Sequence, residues 1–146
     1  MTDPSYTTTF TTDRTPLEAF DAINDVRSWW TGDIEGDSRR LGDAFTYRHQ
    51  DIHRSTQRVI ESVPGERVVW RVENSFLNFT ADPAEWDGTQ IVFEITPAGD
   101  GAQVRFTHEG LRPSVECFDA CSSAWSHYVG ESLRAFISSR EVPAAS

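Results

Sequence analysis

The chain reads as an α+β domain: a meander of antiparallel strands, two short helical turns near the start, and one long closing helix laid over one face of a curved sheet. Three observations predict this. Apolar and polar residues alternate with period two in short runs between Tyr6 and Glu109, separated by turn-forming clusters. A capping-box signature, Thr15-Pro16-Leu17-Glu18, follows the first of these runs. Beyond it all, Phe118, Cys121, Trp125, Tyr128/Val129 and Phe136 recur at helical spacing.

The elements follow in order. Tyr6 to Thr11 alternates with a Thr-rich face and opens as a strand. Thr15 serves as N-cap, Pro16 takes the first helical position and Glu18 closes the box, in a short helix that buries Leu17, Phe20 and Ile23. Asn24-Asp25 caps a second short turn ending in Trp29-Trp30. Ala44 to His49 is a strand with Phe45 and Tyr47 on one face. Arg54 to Val63 and Arg67 to Phe76 form a hairpin through Pro64-Gly65-Glu66, with Val68, Trp70 and Val72 sharing a face. Leu77 to Gly88 is a longer connection. Thr89 to Thr96 gathers Ile91, Phe93 and Ile95; Ala102 to Glu109 gathers Val104, Phe106 and His108. The last helix starts near Ser114, behind Pro113. Glu116 and Asp119 lie near its start and Arg134 near its end, as the helix dipole favours. Residues 1–146 are expected to form one domain, with 141–146 a flexible tail.

Composition excludes more than it identifies. A net charge of −10 argues against nucleic acid and against anionic membrane surfaces, both of which need basic clusters. All 13 basic residues are arginine, which removes Schiff-base chemistry, a lysine base and a P-loop. No apolar run is long enough to span a membrane, and the N-terminus lacks the charged and apolar regions of a secretory signal. Cys117 and Cys121 stand four apart on one helix, a poor match to disulfide geometry, so two thiols in a reducing, cytoplasmic setting are expected.

The order of elements, together with particular residues, resembles the START-like helix-grip superfamily, also called SRPBCC. Within it the chain is most similar to the single-domain bacterial group related to activators of the heat-shock-90 ATPase. The residues carrying the resemblance are Phe20 with Trp29-Trp30, Gly42-Asp43-Ala44-Phe45, Val68-Val69-Trp70 and Gly88 to Glu94. Phe106-Thr107-His108-Glu109-Gly110-Leu111 and Glu116-Cys117 with Cys121, Trp125 and Tyr128 complete it. The resemblance implies a curved six- to seven-stranded antiparallel sheet wrapped around the C-terminal helix, with a hydrophobic cavity between them. It implies a small apolar ligand. From the residues themselves no cofactor and no metal are expected, and a homodimer is left open. The separate N-terminal chaperone-binding domain of the eukaryotic activators has no counterpart here, so a chaperone partner is not expected.

The candidate ligand-binding set is Trp30, Phe45, Tyr47, Trp70, Phe93, Phe106, His108, Phe118, Cys121, Trp125 and Tyr128. Apolar walls with a few polar groups suit a binding pocket, and the same residues would equally fill a solid core. His108 falls on the inward face beside Phe106, as a polar anchor, as a general base, or as a core histidine bonded to backbone or to Tyr128. A zinc site from His108, Cys117 and Cys121 lacks a fourth ligand, and packing thiols explain the cysteines better. His49 and His53, flanking Gln50-Asp51, are expected in solvent, as is His127 on the helix flank. Asp82, Glu85 and Asp87 read as a charged surface loop, with Trp86 among them as a lid over the cavity mouth. No nucleophile elbow, phosphate loop or HExxH motif occurs, so binding is expected rather than catalysis. A cyclase or hydrolase using His108 as acid/base, and a chaperone-ATPase-interacting module, are the alternatives.

Overall fold

The computed structural model describes residues 5–30, 33–49, 53–77, 86–111 and 118–139. The expected N-cap Ser114, together with Asp82, Glu85, Glu116, Cys117 and the tail, lies outside them. Strand β1 (Tyr6–Thr12) leads into helix α1 (Pro16–Asn24), and a single 3-10 turn, Val26–Ser28, follows. Strands β2 (Asp33–Gly36), β3 (Ala44–His49), β4 (His53–Val63), β5 (Arg67–Leu77), β6 (Gln90–Ala98) and β7 (Gly101–Glu109) come next. The chain closes with α2 (Phe118–His127), a π-helical stretch over Tyr128–Leu133, and α3 (Arg134–Ser139). The strands form one antiparallel sheet in the order β1-β7-β6-β5-β4-β3-β2. This is the helix-grip arrangement that the element order predicted.

The capping box is formed in full. The Glu18 amide donates to the Thr15 hydroxyl at 3.1 Å, and the Thr15 amide donates to the Glu18 carboxylate at 3.0 Å. The helix then buries Ala19, Phe20, Ala22 and Ile23 against the sheet. Leu17, expected inside, is 54% exposed. Its backbone lies beside the Gly65 turn at the rim of the sheet, so the first helical turn overhangs the core instead of covering it.

Strand β2 was not visible in the sequence. Its four residues, Asp33-Ile34-Glu35-Gly36, have poor strand preference and little burial. Pairing with β3 holds them, and the Arg27 guanidinium donates to the carbonyls of Ile34 (3.2 Å) and Gly36 (2.7 Å). Two register shifts in the β4–β5 pairing, at Thr56/Gln57 and Val59/Glu61, bend the sheet. Strand β5 pairs with β6 only as far as Arg71↔Gln90, so its last residues reach past β6 with β4. That overreach leaves room for Trp86 at one end of the sheet.

The buried residues of the closing helix are Cys121, Trp125, Val129, Leu133 and Ile137, a repeat of four throughout. Each step of four overshoots a 3.6-residue turn, and the wider π turn takes up the drift, keeping the stripe on the sheet. Ile137 is therefore the buried member of the last turn, with Phe136 half-buried beside it.

Candidate functional site

Between helix and sheet the aromatic residues separate into two groups. Phe45, Trp70, Phe93 and Phe106 are each at most 1% exposed. They make a run of edge-to-face contacts, Phe45–Trp70 and Trp70–Phe93 at 5.0 Å, Phe93–Phe106 at 5.1 Å. These geometries are the favoured ones for aromatic pairs. They constitute a filled interior, so these four lie outside the wall of the cavity described next. Phe118 is half-buried against the hydrophobic core as a whole.

The second group surrounds a cavity of about 160 Å³, open on one side, between α2 and the β3–β4 end of the sheet. Trp30, Tyr47, Trp86, Cys121 and Trp125 form its base, and His49, His53, Ala120, Ala124 and Tyr128 its rim. Trp30 and Tyr47 stack at 4.1 Å, and Trp30 meets Trp125 at 4.9 Å. Five residues of the candidate set, Trp30, Tyr47, Cys121, Trp125 and Tyr128, thus meet at one place. The Tyr47 and Tyr128 hydroxyls approach to 3.4 Å. Burial, reinforced by the Tyr128 hydroxyl, pushes the Tyr47 phenol well above its ordinary pKa, so it stays protonated.

His108 sits behind this base and is fully buried. The Trp125 indole donates to its Nδ1 at 3.0 Å, while Nε2 lies 2.8 Å from the Thr89 hydroxyl. An indole N–H only donates, so Nδ1 is unprotonated and Nε2 carries the proton. The Thr89 hydroxyl accepts that proton and donates its own to the Trp86 carbonyl at 2.6 Å. Every polar atom of the chain of bonds is matched. Burial, with a smaller contribution from His53, holds the imidazole pKa down to about 3. His108 is therefore a neutral junction tying Trp125 to Trp86, with no ring nitrogen left for a ligand.

His53 is the residue that the strand pattern missed. Expected in solvent, it is half-buried in the cavity wall, edge-on to Trp86 at 4.5 Å and to Tyr47 at 5.3 Å. Its Nε2 meets the Ser55 hydroxyl at 2.9 Å. Burial first, and His49 second, lower its pKa to about 4. His49 also reaches the wall. A signal for His49 existed, because alternation from Phe45 and Tyr47 continues onto it. None existed for His53, since its inward neighbours Ser55 and Gln57 are polar. Trp86 is in the wall too, 4% exposed, and its indole N–H has no hydrogen-bond partner among the described residues. Leaving such a donor buried and unpaired costs about 1–3 kcal/mol. Among the described residues no cluster of His, Cys, Asp or Glu could hold a metal ion.

Residues 14–138 match the family described as "Activator of Hsp90 ATPase homolog 1-like protein". The chain belongs to that family. Its fold is shared by the Aha1 dimer from Colwellia psychrerythraea, with a TM-score of 0.74 at 21% identity, covering 95% of this chain and 98% of that one. Protein CV1439 from Chromobacterium violaceum aligns with a TM-score of 0.69 at 17% identity, over 94% and 99% of the two chains. DynU16, a protein in the dynemicin biosynthetic locus, aligns with a TM-score of 0.71 at 14% identity, over 94% of this chain and 48% of its own. These similarities establish the fold of this family member. No curated protein sequence matches the chain. No helix among the described residues is long and apolar enough to cross a membrane.

Proposed function

We propose that this family member binds one small, neutral, mostly apolar molecule in the cavity between its C-terminal helix and the β3–β4 end of its sheet. The lining carries the reading: beside His49 and His53 it holds five aromatic rings, two alanines and a thiol, with no Asp, Glu or Arg and with His53 held neutral by burial. A cavity of about 160 Å³ is close to the roughly 150 Å³ apolar void that takes up a benzene ring. It is smaller than the roughly 300–1,000 Å³ of drug-sized sites. Single-ring compounds such as phenol suit it best. The sealed hydrogen bonds of His108 favour binding over acid/base chemistry at that residue. Cysteine spacing supports a cytoplasmic setting, and the dimer formed by the Colwellia protein supports a homodimer, which light scattering would test.

Titration of phenol against intrinsic tryptophan fluorescence tests the cavity, because Trp30, Trp86 and Trp125 line it. The expected result is a saturable change that is lost in Ala124→Phe, a substitution at an exposed rim position that fills the opening. Equal binding to both proteins, or no saturation across a panel of neutral single-ring compounds, would overturn the proposal.

A further inference from the structure

The ring of Trp86 occupies a seat that is built around it on three sides yet leaves its one polar atom unpaired. His53 and His108 stand nearly perpendicular to it, at 4.5 and 4.7 Å, and Trp125 lies almost parallel, 14° away in plane and 5.8 Å between ring centres. The indole N–H, which burial ordinarily pairs, has no partner among the described residues. The backbone below is fastened by contrast. The Trp86 carbonyl accepts from the Thr89 amide at 3.0 Å and the Thr89 hydroxyl at 2.6 Å, and the Gly88 amide donates to Val72 at 2.8 Å. Rotation of the side chain alone would empty the seat. Its space would then join the cavity, since His53 and Trp125 border both.

We propose that the seat of the Trp86 indole is a binding subsite for a planar, neutral, two-ring aromatic group, and that Trp86 fills it as a displaceable stand-in until such a ligand arrives. The inference rests on the reading of the cavity as a ligand site and names the larger ligand class it takes. Trp125 supplies a parallel stacking surface and the two imidazoles flank the ring plane. Neither supplies charge, so an anion or cation gains nothing there. A ligand can displace the indole only by binding the emptied seat better than the filled one.

The test uses the full chain carrying 5-fluorotryptophan, with the Trp86 fluorine resonance assigned through Trp86→Phe. Phenol should bind and leave that resonance shielded from solvent. 2-Naphthol should move it toward the solvent-exposed position and open it to broadening by a soluble paramagnetic complex. In calorimetry, Trp86→Ala should bind 2-naphthol at least about tenfold tighter than the wild type, because no indole need be displaced. If Trp86→Ala does not fold, Trp86→Phe and the wild-type resonance still decide. Saturation by 2-naphthol with an unmoved Trp86 resonance would overturn the subsite, as would absence of 2-naphthol binding. Failure of phenol alone would count against the single-ring cavity and leave the subsite standing.

Discussion

Replacing His108 with alanine should destabilise the fold by about 3–5 kcal/mol, and the components follow from its surroundings. The ring is fully buried, so its removal leaves a void; aromatic-to-alanine changes in cores cost about 3–5 kcal/mol, and the smaller imidazole about 2. The Trp125 indole, 1% exposed and now donating to Nδ1 at 3.0 Å, would be left unpaired, adding about 1–3 kcal/mol. The Thr89 hydroxyl keeps its bond to the Trp86 carbonyl and loses only one partner. His108→Phe restores the volume without the acceptor, so it isolates the orphaned indole at about 1–3 kcal/mol. Urea unfolding followed by circular dichroism measures both. With a slope near 2 kcal/mol/M, the alanine variant should lose roughly 2 M of midpoint at unchanged slope. A loss below about 1 kcal/mol for alanine, or a phenylalanine variant as stable as the wild type, would refute the view that this histidine is held for its hydrogen bonds.

Two further outcomes are expected. His53 and His108 have folded pKa values of about 4 and about 3, below the unfolded value of 6.5. The unfolded chain therefore binds more protons throughout that window, and stability should be complete above about pH 6.5 and fall as the pH drops toward 3. Urea midpoints between pH 7 and 4 check this, and the slope of the decline should flatten in His53→Gln. Gln57 is fully buried opposite Phe45 and Val72, with neither amide atom bonded among the described residues. Gln57→Leu should raise stability by about 1–3 kcal/mol. A lower urea midpoint in that variant would mean that the amide is paired through ordered water.

Much of the architecture was legible from short-range pattern. The Thr15–Glu18 capping box, the Pro64-Gly65-Glu66 hairpin and six strands each rest on residues a few positions apart, whose preferences add up without help from elsewhere. Strand β2 was not legible, because Asp33–Gly36 becomes a strand only when β3 and Arg27 supply partners. The candidate site was half legible. Helical spacing marked Cys121, Trp125 and Tyr128, and strand alternation marked Tyr47, all of which reach the cavity. The same pattern marked Phe45, Trp70, Phe93 and Phe106, which face the same way and fill the interior.

Period and composition were enough to specify an α+β chain with one aromatic layer between a long helix and an antiparallel sheet, and to set His108 inside that layer. Which rings stack on one another, and which border a void, came from the tertiary structure alone. Trp30 meets Tyr47, and Trp86 meets His53, His108 and Trp125, across separations of 17 residues or more in the chain. Inward-facing side chains look alike in sequence because burial is a local periodic property, whereas a cavity is a mismatch of volumes among distant segments. His108 shows the difference. Its placement was written in strand alternation, but its neutrality was decided by an indole on one side and a threonine hydroxyl on the other.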